Sequence, residues 1–68
     1  MLRITPWERS ALELLATGTD TNDMAARFGL TEREIQQRLS VLYERMGAAS
    51  PADAIAAALR RGLLVVQR

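Results

Sequence analysis

Apolar residues recur at helical spacing in four stretches of the chain. Trp7, Ala11, Leu12, Leu14 and Leu15 form one stripe, and Met24, Ala25 and Phe28 a shorter one. Ile35, Leu39, Leu42 and Met46 step by four, three and four residues, which is the narrow buried face of a longer helix. Ile55, Ala58 and Leu59 repeat the pattern in the last stretch. No segment of four or more residues alternates with the period of a strand, and Val65-Val66 is too short and too terminal to argue for one.

Each stripe is bracketed by start and stop signals. Thr5-Pro6-Trp7-Glu8 reads as a cap hydroxyl, a proline at the first helical position and a glutamate that can reach back to the cap. Asp20-Thr21-Asn22-Asp23 offers an aspartate cap, Thr31-Glu32-Arg33-Glu34 a full capping box, and Ser50-Pro51-Ala52-Asp53 a variant of the first pattern. Gly18, Gly29, Gly47 and Gly62 follow the four stretches, where a left-handed residue ends a helix. The register predicts helices near 6–17, 21–28, 32–46 and 51–61 in an all-α, four-helix fold, with residues 1–68 as one domain. The expected shared core is Leu12, Leu15, Phe28, Ile35, Leu39, Leu42, Ile55 and Leu59.

Composition narrows the chemistry. Among 68 residues there is neither Cys nor His, so a thiolate nucleophile, the commonest general base and the sulfur and imidazole metal ligands are missing. The remaining carboxylates stand where caps and surface pairs explain them. The expectation is no enzyme, no metal and no cofactor. No apolar run approaches the ~18 residues of a membrane span and the start lacks a signal-peptide core, so a cytoplasmic protein without membrane contact is expected. A core this small supplies only ~3–5 kcal/mol of net stability, which makes a self-associating partner useful. Nine Arg face eight acids for a net charge of +1, too balanced to announce nucleic acid alone.

The connection between the second and third stretches is only Gly29-Leu30-Thr31. A tight glycine turn between a short helix and a longer one suits a helix-turn-helix, whose second helix enters a DNA major groove; an ordinary helical hairpin has the same spacing. The residues around it resemble the LuxR/GerE-type (NarL/FixJ-like) helix-turn-helix domain. The resemblance runs through Ile4-Thr5-Pro6-Trp7-Glu8-Arg9, Leu12–Gly18, Met24–Thr31, Leu42–Gly47, Ser50–Ala54 and Leu59–Leu64, without an insertion. It implies a bacterial transcription regulator that binds double-stranded DNA through its third helix and forms a homodimer through its fourth. Most members also carry an N-terminal sensor or receiver domain, although short stand-alone members exist.

The departures from the family pattern fall on the second helix and on the reading helix. The family's third helix typically runs Thr-Val-Lys-x-His with another basic residue two further on; this chain has Glu34-Ile35-Gln36-Gln37-Arg38-Leu39-Ser40. A further basic position is Glu44, and the usual Asn-Lys pair of the second helix is Thr21-Asn22. From Asp20 to Met46, four Arg meet five acids, a net charge of −1, while the remainder carries +2. Phosphate neutralisation drives most of non-specific affinity, so this segment predicts DNA binding by the isolated domain that is weak, or salt-sensitive through few contacts, unless a dimer doubles them.

With Ile35, Leu39, Leu42 and Met46 inward, Arg33, Gln37, Ser40 and Glu44 point outward, with Gln36 and Val41 beside them. Glutamine suits adenine and arginine suits guanine. The base-contact candidates are therefore Arg33, Gln36, Gln37 and Ser40, each also explicable as a solvated helix face. Thr21, Asn22, Arg38 and Arg45 are the phosphate-contact candidates, and Glu34 and Arg38 form an i,i+4 pair. On the fourth helix, Ile55 and Leu59 inward would turn Asp53, Ala56, Ala57 and Arg60 out as the dimer face. Trp7 is expected either to pack on the C-terminal tail or to stand exposed as an anchor for a protein partner. The Leu63–Val66 tail either caps the core or extends an interface. A second reading, motivated by Glu34, Gln36, Ser40 and Glu44, is a helix-turn-helix descendant that serves as a dimerisation or protein-interaction module.

Overall fold

The computed structural model describes residues 3–64. It contains four helices, α1 (Pro6–Ala16), α2 (Thr21–Phe28), α3 (Glu32–Met46) and α4 (Pro51–Arg60), and no strand among the described residues. The predicted all-α, four-helix fold is the observed one. α1 and α4 each end one residue short of the limit read from the sequence.

Side chains satisfy the first turns as the sequence pattern requires. Glu8 N–H donates to Thr5 Oγ1 at 3.1 Å while Thr5 N–H donates to Glu8 Oε1 at 2.8 Å. Thr31 and Glu34 repeat that exchange at 3.1 and 3.0 Å. Asp20 accepts from Asp23 N–H at 2.8 Å, and Ser50 Oγ from Asp53 N–H at 3.1 Å. Each cap of this kind contributes about 1 kcal/mol. The turn that sets α3 against α2 is closed by Gly29 in the left-handed conformation, φ 68° and ψ 32°, and by Leu30 N–H donating to the Ala25 carbonyl at 2.9 Å. A Cβ added at Gly29 would meet nothing within 4 Å. The glycine is therefore needed for its backbone angle and not for room.

The core has two clusters with α3 as their common wall. Ile35 and Leu39 pack with Ala11, Met24 and Ala25, joining α1, α2 and α3. Leu42 and Met46 pack with Leu12, Ala54, Ala57, Ala58 and Leu64, joining α1, α3 and α4. Tyr43 is half-buried against both. The predicted inner stripe of α3 is the observed one, with none of its four residues more than 5% exposed. Leu15 and Phe28 contribute from the margin of the first cluster.

The predicted orientation of α4 is corrected. Ala54, Ala57 and Ala58 are the buried residues, Ile55 is half-buried, and Leu59 is 38% exposed. The helix is turned by roughly one residue step from the expected face. The cause is the opposing surface: Leu12, Leu42 and Met46 already fill the space with long side chains. The alanine methyl groups of α4 fit against these long side chains, and the small contacts let the backbones approach closely. Ala57 therefore belongs to the core and is unavailable to a dimer face.

Trp7 is corrected as well. Its ring is half-buried on Phe28 of α2, centroids 5.1 Å apart and planes at 45°, in the first cluster, whereas the described tail residues Leu63 and Leu64 belong to the second. In the tail, Leu64 is buried against the second cluster and Leu63 packs beside it, with Leu63 N–H donating to the Ala58 carbonyl at 2.9 Å. Val65 and Val66 lie outside the described residues.

Candidate nucleic-acid interface

The inner stripe of α3 fixes what its opposite side presents. Arg33, Gln36, Gln37 and Ser40 are all exposed and line one shallow depression together with Val41. Among the described residues none of the four forms a side-chain hydrogen bond or ion pair within the chain. Their donors and acceptors are thus available to an external ligand: a guanidinium, two amides and a hydroxyl on one helix face. Glu44 is exposed further along α3. Thr21, at the start of α2, is brought beside this face, lining a second depression with Gln36, Ser40, Leu15, Leu39, Tyr43 and Pro51. Burial pushes the Tyr43 phenol up from its ordinary value, so it stays neutral there. Asn22 is exposed in the first turn of α2. One N–H of that turn is already taken by the Asp20 carboxylate, which reduces what α2 offers to an anion.

The remaining two phosphate candidates are held within the chain. The Arg38 guanidinium carbon lies 5.1 Å from the centroid of the Trp7 ring, a cation–π stack that joins α3 to α1. Glu34 turns its carboxylate to Thr31 N–H. That backbone bond, followed by the Thr31 hydroxyl and the positive charge of Arg38, holds the Glu34 carboxyl below its ordinary value against a small desolvation effect. The expected Glu34–Arg38 pair is therefore a long-range attraction, with the cap and the stack as the primary contacts.

Arg45 is paired with Glu8 at 2.5 Å across the α1–α3 junction. Burial raises the Glu8 carboxyl, but the hydrogen bonds from Arg45 and Thr5 outweigh it and leave Glu8 below its ordinary value. Arg45 is thus a structural partner first. This contact had no local signal: Glu8 was explained by its cap alone, and its second oxygen finds a residue 37 positions away. Val41, which flanks the outward face in the sequence pattern, is part of the depression.

Of the dimer candidates, Ala56 is half-buried and Arg60 exposed. The Asp53 carboxylate is engaged locally, accepting from Ala49 N–H at 2.9 Å. The open face of α4 carries Ala52, Ala56 and Leu59, with Ile55 at its edge. Among the described residues no three His, Cys, Asp or Glu side chains gather at a metal-binding spacing, and no helix is long and apolar enough to cross a membrane.

Comparison with known proteins agrees with the geometry. Residues 3–58 match the GerE family, described as bacterial regulatory proteins, luxR family. The chain is 30% identical over 64 residues to the transcriptional regulatory protein YdfI of Bacillus subtilis, an overlap of 94% of this chain and 30% of that protein. It is 34% identical over 59 residues to a Mycobacterium bovis protein named "Putative HTH-type transcriptional regulator Mb0914c", covering 87% of this chain and 7% of that protein. The chain thus spans less than a third of the length of these relatives. No solved structure matches it. These names describe transcription regulators and do not favour the interaction-module reading. By its matched residues and its helix-turn-helix geometry, the chain belongs to the luxR family of bacterial regulatory proteins.

Proposed function

We propose that this chain is the DNA-binding domain of a transcription regulator and that it inserts α3 into the major groove. The observation that carries the reading is the exposed, internally unbonded set Arg33, Gln36, Gln37 and Ser40, set beside the start of α2 by the Gly29 turn. Arg33 and the two glutamines supply the base-reading chemistry, and Ser40 a shorter donor or acceptor. Thr21, Asn22 and Arg38 approach the backbone. Arg38 remains a cation while stacked on Trp7, so it can meet a phosphate without leaving the ring.

With Arg45 committed to Glu8, few cations are left for phosphates. Each neutralised phosphate steepens the logarithmic salt dependence by about 0.9, so a shallow slope is expected for one chain. A twofold dimer would double the contacts. The α4 face suited to it is Ala52, Ala56 and Leu59, with Arg60 beside them and Ala57 excluded by burial.

The test is enrichment of duplexes from a random pool by the 68-residue chain, followed by titration at two salt concentrations. A defined enriched sequence, bound with a shallow slope that Arg38→Ala flattens by about one, supports the reading. Failure to enrich any duplex at low salt refutes it.

A further inference from the structure

One large aliphatic side chain of α3 faces away from both core clusters. Val41 is 57% exposed, while Ile35, Leu39, Leu42 and Met46 on the same helix are at most 5% exposed. An exposed valine gives a helix little. Its branched Cβ restricts χ1, so alanine is the better helix former, and more than half of its surface is left facing water. Single exposed apolar residues are common, so position decides the matter. Val41 lines the depression that holds Arg33, Gln36, Gln37 and Ser40. On its other side it lines a second depression with Thr5, Trp7, Glu8 and Arg38. It therefore lies within the candidate interface, with the polar readers on one side and the stacked Arg38 on the other.

The major-groove edges of the bases are hydrogen-bonding atoms with one exception, the 5-methyl group of thymine. An aliphatic side chain among amides and a guanidinium has one apolar counterpart on that surface. We infer that Val41 contacts the 5-methyl group of a thymine and is a specificity-determining residue of the interface. Gln37 stands one turn earlier on the same side of α3 and carries the amide suited to adenine. The two together select an A·T-containing step. This inference rests on the proposed major-groove reading.

The probe is the duplex enriched by this chain, together with a panel in which one thymine at a time is replaced by deoxyuridine, removing only the methyl group. Withdrawing one buried methyl costs about fourfold in affinity. The parent chain should show that loss at one thymine, or at a symmetric pair if it binds as a dimer. Val41→Ala should bind both duplexes alike, about as weakly as the parent binds the deoxyuridine form. This variant keeps the fold, since alanine favours the helix, and a melting curve verifies it. The assignment is overturned if no deoxyuridine weakens binding, if the loss persists undiminished in Val41→Ala, or if the enriched sequence lacks thymine. A duplex bound without this coupling removes only the role of Val41. Failure to enrich any duplex removes the major-groove reading and this inference with it.

Discussion

Arg45→Met is expected to loosen the fold before it alters any contact with DNA. The Arg45 guanidinium ties the last turn of α3 to Glu8 in the first turn of α1. The Glu8 side chain is 12% exposed and that of Arg45 42%, so solvent screens the cation while the carboxylate is largely withdrawn from water. Exposed pairs contribute ~0–1 kcal/mol, and removing the partner of a shielded group adds a desolvation cost. Thr5 N–H still serves the other Glu8 oxygen, which keeps the sum near the low end, about 1–2 kcal/mol. Against a net stability of ~3–5 kcal/mol this is a large fraction. Each 1 kcal/mol lowers the melting midpoint by about 4–8 °C in a domain of this size.

The assay is thermal and urea unfolding of the parent, Glu8→Gln, Arg45→Met and the double variant. A coupling of about 0.5–1 kcal/mol is expected between the two sites. Glu8 also sets a pH dependence. Its folded carboxyl lies below the ordinary value of 4.5, so its stabilisation is complete above that pH and is lost as pH falls through the folded value. Glu8→Gln should flatten this acid limb. Additive single variants would refute the pairing. So would an Arg45→Met protein that melts normally yet binds every duplex more weakly with a salt slope smaller by about one, for that is the behaviour of a phosphate ligand.

Four further outcomes are expected. Leu42→Ala, at a fully buried site, should cost ~2–5 kcal/mol and leave the chain largely unfolded by circular dichroism. Gly29→Ala should cost about 1 kcal/mol, because only the left-handed angle opposes a side chain there; a larger loss would mean hidden crowding. Ala56→Glu should keep the melting transition and abolish dimers in sedimentation, whereas Ala57→Glu should unfold the chain. Gln37→Ala should relax preference at one base pair by ~1–3 kcal/mol in a competition binding series, with the melting curve unchanged.

The residues that were legible from sequence share a property: their signal is either local or carried by large side chains. Thr5, Asp20, Thr31 and Ser50 cap within three residues, so spacing alone located the helix starts. Ile35, Leu39, Leu42 and Met46 are large enough for periodicity to orient α3, and the outward candidates follow from them. α4 carries no such signal. Its buried residues are alanines, which weigh little on any apolar scale, and Leu59 pulled the inferred face toward itself. The partners of Trp7, Arg38 and Arg45 were invisible for another reason. They arise where α1 crosses α2 and α3, and sequence distance carries no record of that crossing.

The division of α3 into a wall for two clusters and an internally unbonded outer face has a consequence for how such a domain changes over time. Arg33, Gln36, Gln37 and Ser40 hold up no part of the fold, so replacing them perturbs stability by only about ±0.5 kcal/mol. Target preference can therefore drift, or be reprogrammed in a library of these four positions, without a folding penalty to be repaired. Ile35 and Leu39, next in sequence to Gln36 and Ser40, permit no such freedom. A single helix thus holds adjacent positions under opposite evolutionary constraint.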